Sequence, residues 1–560
     1  MSKGEGSKAL KNRGNVDHEP GWFNNVSSQY KDIISKSRLL HSGSPSIYQL
    51  KPKKKTYENL TKLTVGERNV NKVNKTILLV GETGTGKSTL INALVNHTMG
   101  VEWEDEVWFQ IVEDEKRSQT ESQTSDVIVY QVFDFKDETL PYSLTIIDTP
   151  GFGDTRGVER DLMVIQKLLV WFQSDDGVHE VNAVGLVMKS SENRLSDRLK
   201  YIFDSVMSLF GKGIEKNIVA LITHSDGTYP ENALRALEAA NIKCARDEDN
   251  DPVFFLFNNC LDKQRTKKEK GGLQNAWRTT DGGMSEFMTF LEETGPQKLD
   301  KTVEVLKERD RLTACIQNLE ERIKFIEGKQ TEIKQVEEAL KKHKEEMKKN
   351  KEFTVEVDET YKDKLPIKGG MWGLHFFEGA VTCNVCEENC HYPGCTMAPS
   401  PQECNIMKDG RCTSCTGKCP VHNHVKQEWI YVTKTRKVMK TEAEMKQKYE
   451  ENQAKSEEKL SILEDLKTEM NQLKADKTRV LEEAYRHVVN LNQIALKAHS
   501  GSTSVHLDFL IEKMKEKGDR VKVQELEKMK KCQDEGNKGA VQSVWDILKT
   551  AGKAVKEWMI

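Results

Sequence analysis

A glycine-rich stretch, GETGTGKST at residues 81–89, is the first pattern in this sequence that could do chemistry. Its spacing is that of a phosphate-binding loop, G-x-x-x-x-G-K-[ST], and it lies between an apolar run that predicts a strand and a pattern that predicts a helix. Glycines let backbone N–H groups approach phosphate oxygens, and the N-terminus of the helix adds its dipole. The alternative, a chance glycine-rich turn, would not require the flanking strand and helix.

Each residue of this loop is a candidate nucleotide contact. Lys87 is expected to reach the β- and γ-phosphates of a nucleotide, and the hydroxyl of Ser88 is expected to ligate Mg²⁺. The contacts that we predict from the loop are Gly81, Glu82, Thr83, Gly84, Thr85, Gly86, Lys87, Ser88 and Thr89.

A second motif, TIIDTPGFGDT, ends another apolar strand with Asp148. Its carboxylate can hold the Mg²⁺ shell, and the N–H of Gly151 can contact a γ-phosphate. Between the two motifs, SQTESQTSDVIVY offers Thr120 and Thr124 as hydroxyls that would reach Mg²⁺ and sense the γ-phosphate. We favour Thr124, which lies just before a predicted strand, and we assign Lys87 and Thr124 as catalytic residues.

The third motif, LITHSDG, concerns the base of the nucleotide. The Asp226 carboxylate can accept hydrogen bonds from guanine N1 and N2 together, an arrangement that adenine cannot offer. Thr223 and His224 precede it, and the imidazole of His224 could stack on the base. A further strand, FFLFNN, ends with Asn258 near the predicted base site. These residues favour GTP and GDP over ATP.

The motifs together resemble one branch of the P-loop GTPases. The segments GETGTGKSTLINAL, LTIIDTPGFGDTRG, LSDRLKYIFDSVMSLFG and THSD…FNN are similar to those of septin-like GTPases, whose best-known members are the septins and the immunity-associated (IMAP, AIG-type) GTPases. The resemblance covers residues 55–290. It implies a Ras-like α/β fold, GTP or GDP with Mg²⁺, pairing of G domains under nucleotide control and, often, association with membranes or polymers.

One position departs from Ras-type catalysis. After D-T-P-G, the residue that usually orients the attacking water is Phe152, which cannot hydrogen-bond to water. We therefore expect slow GTP hydrolysis by an isolated monomer, or a group supplied from elsewhere, such as a partner G domain. Asp154, Thr155 and Arg156 are nearby candidates.

The second pattern that could do chemistry is a cysteine cluster. Eight of the 12 cysteines fall in one short segment, and C-x2-C-x3-C-H is echoed there by C-x2-C-x3-C-P-V-H-N-H. The C-x2-C spacing places two thiolates on one tight turn, as tetrahedral Zn²⁺ requires. The candidate zinc ligands are Cys383, Cys386, Cys390, His391, Cys395, Cys404, Cys412, Cys415, Cys419, His422 and His424.

These ligands suffice for two closed, structural Zn²⁺ sites, with Cys395 and Cys404 in reserve. Metal binding would offset the small amount of hydrophobic material in the segment. Disulfides would require an oxidising compartment. An iron–sulfur cluster stays open, although the bacterial ferredoxin spacing is absent, and the order does not match a RING. Spacing alone does not assign each ligand to a metal.

The sequence also predicts the strands and helices that carry these residues. Continuous apolar runs predict strands buried on both faces, and their alternation with helical patterns predicts an α/β P-loop GTPase domain with a mostly parallel sheet and helices on both faces. The clearest predicted strands are residues 76–81, 143–149, 182–188, 217–223 and 252–257.

After residue 297 the pattern changes to heptads, which predict long antiparallel coiled-coil helices. They flank the Cys-rich zinc-binding β insert, itself bracketed by the strand-like runs EFTVEV and EWIYVTKT, so we expect a stalk with the insert at its tip, far from the nucleotide. The predicted order is a flexible segment at 1–50, the G domain at 51–297, a coiled-coil helix at 298–352, the insert at 353–439, a coiled-coil helix at 440–500 and a C-terminal helical region with an amphipathic end at 501–560.

Composition limits the partners. The 560 residues carry a net charge of −3, so no overall field draws the chain to nucleic acid or to anionic membranes. Neither a signal peptide nor a membrane span is evident, which predicts a cytoplasmic protein. The terminal stripe at 541–559 could lie on a membrane surface, or it could pack on the protein or on a partner.

Two functions are consistent with these patterns. The first is a GTP-binding protein and slow GTPase that acts as a nucleotide-controlled switch or assembly GTPase, with itself as partner through G-domain dimers or coiled-coil oligomers and with an unidentified protein as effector. The alternative is a coiled-coil and zinc scaffold in which the guanine nucleotide is mainly structural.

Overall fold

A computed structural model gives the architecture. It describes residues 30–57, 60–69, 71–113, 127–133, 142–149, 168, 171–174, 177–342, 354–367, 379–395, 398–441, 462–496 and 501–534.

The first part of the chain, up to residue 298, alternates strands and helices. Its described strands are β1 (Arg38–His41), β2 (Ser46–Gln49), β3 (Lys53–Tyr57), β4 (Leu60–Val65), β5 (Asn74–Val80), β6 (Val107–Gln110), β7 (Ile128–Val132), β8 (Ser143–Asp148), β9 (Glu180–Val181), β10 (Ala183–Lys189), β11 (Ile218–Thr223), β12 (Phe254–Leu256) and β13 (Gln297–Lys298). Its described helices are α1 (Lys31–Lys36), α2 (Lys87–Thr98), α3 (Asp197–Met207), α4 (Glu231–Ala239) and α5 (Lys270–Thr294).

The central sheet has eight strands in the order β12-β11-β10-β5-β8-β7-β4-β3. The pairs from β12 to β8 are all parallel, whereas β7 is antiparallel to β8 and β3 is antiparallel to β4. The five predicted strands are confirmed as β5, β8, β10, β11 and β12, and the mostly parallel sheet is confirmed with them. Because the carboxyl ends of parallel strands share one edge, the loops after β5, β10 and β11 begin there, beside the end of β8.

Both faces of this sheet are covered. In β5, Ile77 and Leu79 point into a core shared with α2 and α5, whereas Leu78 and Val80 point into a second core shared with α3 and α4. All four side chains are almost fully buried. This two-sided burial is the reason that the strand reads as a continuous apolar run rather than as an alternating one.

The segment at residues 30–50 packs on the first part of the chain, contrary to the prediction of a flexible segment. Tyr30 is buried against Phe109, and its hydroxyl donates to the carbonyl of Gly100 at 2.8 Å. The strand β2 pairs in parallel with β6, so this segment adds a small sheet beside the main one. The prediction of a flexible segment is therefore wrong for residues 30–50, whereas residues 1–29 lie outside the described residues.

The second part of the chain contains long helices and an all-β insert. Its described helices are α6 (Asp300–Lys342), α7 (Ile462–Ile494), α8 (Gly501–Lys517) and α9 (Arg520–Asp534). Its described strands are β14 (Thr354–Pro366), β15 (Gly379–Cys383), β16 (Glu388–Cys395), β17 (Met407–Lys408), β18 (Arg411–Cys412), β19 (His424–Gln427) and β20 (Trp429–Thr441).

The helices α6 and α7 run antiparallel. His487 of α7 meets Glu308 near the start of α6, while Lys477, earlier in α7, meets Glu327, later in α6. The apolar stripe of α6 does not face α7 alone, because α8 and α9 enter the same buried cluster. The apolar heptad positions thus pack into a bundle of α6, α7, α8 and α9. The contact between α6 and α7 is one part of this bundle.

The insert does not lie at the far end of the helices. The strands β14 and β20 form a 13-residue antiparallel ribbon that runs back along α6, with Gln335 bonded to Asp358 and Glu332 bonded to Thr360. The ribbon confirms the two bracketing strands. Because the ribbon reverses direction along α6, the cysteine segment packs against Ala314, close to the start of that helix. The prediction that the insert lies at the far tip of the helices is therefore wrong.

Among the described residues, no helix is both long and apolar enough to cross a membrane. The predicted amphipathic end at 541–559 lies outside the described residues, so its two alternatives stay predictions.

Candidate functional site

The glycine-rich loop connects β5 to α2 at the carboxyl edge of the sheet. Gly84 and Gly86 have φ values of 85° and 90°, in the left-handed region that favours glycine. Gly81 approaches β10 so closely that a Cβ there would lie 2.5 Å from the carbonyl oxygen of Val187. The glycines of the motif are therefore required by the turn and by its packing on the sheet.

Lys87 is the first residue of α2, and its side chain turns back into the loop. Its Nζ donates to the carbonyls of Gly81 at 2.6 Å and of Glu82 at 3.2 Å, and the side chain is buried. Thr85 closes the turn by donating its hydroxyl to Glu82. The ammonium group is thus held at the place where a phosphate-binding loop presents its charge.

Thr223, at the end of β11, supports this loop. Its buried hydroxyl lies 2.6 Å from the carbonyl oxygen of Thr85 and 3.2 Å from that of Met188. The predicted base-reading motif is therefore joined to the phosphate loop by one side chain. The sequence placed Thr223 near the base, whereas its hydroxyl is directed at the phosphate loop.

Replacing Thr223 with valine is expected to weaken GTP binding about tenfold. The substitution removes one buried hydrogen bond, worth on the order of 1–2 kcal/mol, and leaves the Thr85 carbonyl without that donor. Isothermal titration of the variant measures the effect. The control is Thr289→Val at an exposed position of α5, which loses only a hydroxyl bond within its own helix and should bind like the wild type.

Asp226 is the third residue after the end of β11 and is exposed. Its Oδ1 accepts from the hydroxyl of Thr228 at 2.6 Å and from the backbone N–H of Thr228 at 3.0 Å. These hydrogen bonds lower the pKa of the Asp226 carboxyl, so the group is an ionised acceptor at neutral pH. The turn orients the carboxylate before any ligand arrives.

His224 has a φ of 54°, and its ring lies beside the position of Gly86. Burial, followed by the charge of Lys189, lowers the pKa of the imidazole, which favours the neutral ring at physiological pH. The hydroxyl of Ser190, after β10, donates to the His224 carbonyl at 2.8 Å. Sequence reasoning missed Ser190, because no motif spacing links it to the loop after β11.

Asn258 follows β12 and contacts the same loop. Its side-chain amide donates to the Ser225 carbonyl at 2.9 Å, and its backbone N–H donates to the hydroxyl of Thr280 on α5 at 2.9 Å. The structure thus places Asn258 against the loop of the base-reading motif, and its predicted position near the base stays a prediction. Thr280 was not predicted, because its role depends on a helix that packs across the sheet.

Asp148 ends β8 directly beside the phosphate loop. It pairs in register with Leu79 of β5 and is buried, and the hydroxyl of Thr149 donates to the Leu79 carbonyl at 3.0 Å. The half-buried Ser88 lies on the first turn of α2. The remaining loop positions follow the turn into α2; these are Glu82, Thr83, Thr85, Gly86 and Thr89.

Several predicted site residues lie outside the described residues. They are Thr120, Thr124, Gly151, Phe152, Asp154, Thr155 and Arg156. Their roles stay predictions.

The cysteine segment brings its candidate ligands together in three groups whose ligand atoms lie within 4.8 Å of one another. Each group combines residues that are distant from one another in the sequence of the insert. The first group is Cys383, Cys386, Cys415 and Cys419; the second group is Cys390, Cys412, Cys415 and His424; the third group is His391, Cys395 and Cys404.

The first and second groups share Cys415. The sulfurs of Cys386 and Cys419 are 3.7 Å apart, which is close to the roughly 3.8 Å between two thiolates on one tetrahedral Zn²⁺. His424 has its Nδ1 at 3.0 Å from the Pro420 carbonyl, while its buried Nε2 has no hydrogen-bond partner. Such an arrangement leaves Nε2 available to bind a metal.

Backbone N–H groups also surround these sulfurs. The N–H groups of Ser414 and Cys415 point at the sulfur of Cys412, both at 3.3 Å, and that of Cys419 points at Cys415 at 3.2 Å. A Cβ on Gly417 would lie 2.9 Å from the sulfur of Cys419. The donor set is thus four sulfurs in the first group, and three sulfurs with one nitrogen in the second, all suited to a soft divalent metal.

His422 is the exception among the predicted ligands. It is exposed, and it belongs to none of the three groups found in the described part of the chain. It lies within the short turn Val421–Asn423, whereas His424 follows that turn and belongs to the second group.

Comparisons with known proteins found matches to the part of the chain that contains the phosphate loop. Residues 71–170 match the family model for Septin. The Translocase of chloroplast 34 homolog of Chlamydomonas reinhardtii is 27% identical over 188 residues, which are 32% of this chain and 42% of that protein. The chain thus spans about two-fifths of the length of this curated relative.

Solved structures of Toc33 from Arabidopsis thaliana are also similar. One, in complex with Mg²⁺ and GMPPNP, is 16% identical, covers 40% of this chain and 88% of its own, and has a TM-score of 0.28. Another, in complex with GDP and Mg²⁺, is 16% identical, covers 39% and 86%, and has a TM-score of 0.25. With the Septin match across the phosphate loop, and with that loop between β5 and α2, the chain contains a septin-like P-loop GTPase domain.

Proposed function

We propose that the protein binds GTP and GDP with Mg²⁺ and is a slow GTPase that acts as a nucleotide-controlled switch or assembly GTPase through G-domain pairing. The hydrogen bond from the Thr223 hydroxyl to the Thr85 carbonyl, at 2.6 Å, carries the proposal. This bond joins the phosphate loop to the loop after β11, which carries the exposed carboxylate of Asp226 in an orientation fixed by Thr228. One ligand with phosphates and a donor-rich base would span both.

The residues divide the work in this proposal. Lys87 neutralises charge on the β- and γ-phosphates, while Ser88 and Asp148 hold the Mg²⁺ shell. Asp226 accepts from guanine N1 and N2, and the neutral ring of His224 stacks on the base. Hydrolysis would break the bond between the γ-phosphorus and its bridging oxygen after attack by water.

The slow rate follows from Phe152, which cannot orient that water. A second G domain could supply the missing polar group, so we propose that pairing raises the rate of hydrolysis. The bundle of α6, α7, α8 and α9 would then pass the nucleotide state to a partner protein, since Arg309 of α6 donates to the Ser208 carbonyl of the GTPase domain at 2.8 Å.

We also propose that the first and second cysteine groups bind two structural Zn²⁺ ions that share the Cys415 thiolate. With that sulfur counted in both groups, each ion has four ligands, which is the closed arrangement of structural sites. A reducing cytoplasm would keep these thiols available for zinc, so the proposal includes a cytoplasmic location.

Replacing Lys87 with alanine is expected to weaken GTP binding by roughly a hundredfold or more. The variant loses hydrogen bonds from an ammonium to phosphate, and such charge-assisted bonds are worth about 1.5–3 kcal/mol each. Titration with a fluorescent GTP analogue, with ATP as competitor, measures affinity and base preference together.

The matched control is Lys53→Ala on the exposed strand β3, which should bind GTP as the wild type does. Unchanged affinity in the Lys87 variant, or displacement of the analogue by ATP as effectively as by GTP, would remove the nucleotide assignment.

A further inference from the structure

The third group stands apart from the two that share Cys415. His391 and Cys395 belong to β16, and Cys404 follows the turn Pro401–Glu403. All three side chains are at least nine-tenths buried. The Cys395 and Cys404 sulfurs are 3.8 Å apart, and Nδ1 of His391 is 3.0 Å from the Cys404 sulfur.

Three soft ligand atoms at this spacing match a metal site better than a disulfide. A disulfide requires its sulfurs at about 2.05 Å, whereas two thiolates on one tetrahedral Zn²⁺ are roughly 3.8 Å apart. Two cysteines with one histidine form a recognised three-ligand set that leaves the fourth position to a solvent molecule. The group is thus an open site, unlike the two closed ones.

The third group also adjoins the helix that leaves the GTPase domain. Asn405, next to Cys404 in sequence, donates from its side-chain amide to the Asp310 carboxylate at 2.8 Å. Its carbonyl accepts from Nε of Arg311 at 3.0 Å. Asp310 lies close enough to His391 and Cys395 for their charges to interact.

Three consecutive residues of α6 therefore bridge two parts of the molecule. Arg309 bonds to Ser208 of the GTPase domain, while Asp310 and Arg311 bond to Asn405 of the insert. An ion held by Cys404 would fix the position of the adjacent Asn405. The metal would thus act on the contact between the insert and α6, beside the GTPase domain.

We propose that His391, Cys395 and Cys404 bind a third Zn²⁺ ion, with solvent in its fourth position, and that this ion clasps the insert to α6. The inference rests on the proposed zinc binding by the insert and adds a separate site to it. Each thiol releases its proton to solvent on binding. Asp310 is a positioning residue here, since its carboxylate lies outside the group of ligand atoms.

Metal content of the purified full chain tests the site. The wild type should bind three zinc ions per chain, and the double variant Cys395→Ser with Cys404→Ser should bind two. The variant Cys260→Ser, which changes a free cysteine outside the insert, should keep three. Two ions in both the wild type and the double variant would overturn the third site and leave the two closed sites standing, whereas an absence of zinc in the wild type would overturn both.

Cobalt substitution and hydrogen exchange add independent readouts. Co²⁺ in the wild type should give a visible-absorption component that His391→Gln removes, and Asp310→Asn should weaken binding of this ion about tenfold or more. Backbone exchange at residues 404–407 and 309–314 should quicken in the double variant, while exchange in β15 and β19 stays unchanged. Unchanged exchange at residues 404–407 would overturn the clasp, and a disulfide between Cys395 and Cys404 in the native protein would overturn the site.

Discussion

Replacing Cys415 with serine is expected to remove two zinc ions per chain at once and to unfold the insert. Its sulfur belongs to the first and the second group, so both closed sites lose a ligand. Structural zinc in small domains contributes on the order of 10 kcal/mol to folding, which is comparable to the whole stability of a typical domain. The effect on the insert should therefore be large, as measured by zinc content and by limited proteolysis.

The variant Cys419→Ser separates the two closed sites. Cys419 belongs to the first group alone, so its loss should cost one ion and leave the second group metallated. The control Cys260→Ser should change neither zinc content nor proteolysis. Equal zinc loss in the Cys415 and Cys419 variants would contradict the shared thiolate, and a full zinc content in both would contradict the closed sites.

Replacing Asp226 with asparagine is expected to lower affinity for GTP by roughly a hundredfold or more and to create affinity for XTP. Guanine presents donors at N1 and N2, which the ionised carboxylate accepts. Xanthine presents N1–H beside a carbonyl, which the oxygen and the nitrogen of an asparagine amide complement. The amide oxygen can still accept from the N–H and hydroxyl of Thr228, so the turn should be retained.

Competition titrations with GTP, XTP and ATP measure this change of preference. The variant Asp249→Asn removes an exposed carboxylate from the loop before β12 and should keep the preference of the wild type for GTP. A variant at Asp226 that kept full affinity for GTP would show that another group reads the base.

Local sequence was sufficient for the strands of the GTPase domain. The runs in β10, in β11 and at residues 77–80 of β5 are apolar at nearly every position because helices cover both faces of the sheet, and this pattern needs no knowledge of distant contacts. The phosphate loop was equally predictable, since Gly84 and Gly86 adopt φ values that other residues avoid.

Contacts between distant segments could not be read in this way. Ser190, Thr280 and the hydroxyl of Thr223 act on loops that lie far away in sequence, so no spacing rule identifies them. The burial of Tyr30 also depends on distant contacts. Its neighbours in sequence are polar, so the local pattern did not predict that its ring packs on the core.

The sequence indicated that the cysteines of this segment would gather, but it did not indicate where the segment lies. Its C-x2-C hooks indicated a metal, yet the sharing of Cys415 and the exposure of His422 depend on how the turns fold over one another. The ribbon of β14 and β20 then returns the segment to α6 rather than leaving it at a tip. Heptads predict the helices but do not reveal what else packs on them.

The central claim is that the guanine nucleotide controls self-association of the GTPase domain. Size-exclusion chromatography with light scattering tests it most directly, with the full chain loaded either with GDP or with a non-hydrolysable GTP analogue, each with Mg²⁺. We predict a larger mass with the GTP analogue than with GDP, and no such difference for Lys87→Ala. The same mass in both nucleotide states would contradict the switch and would favour a scaffold in which the nucleotide is structural.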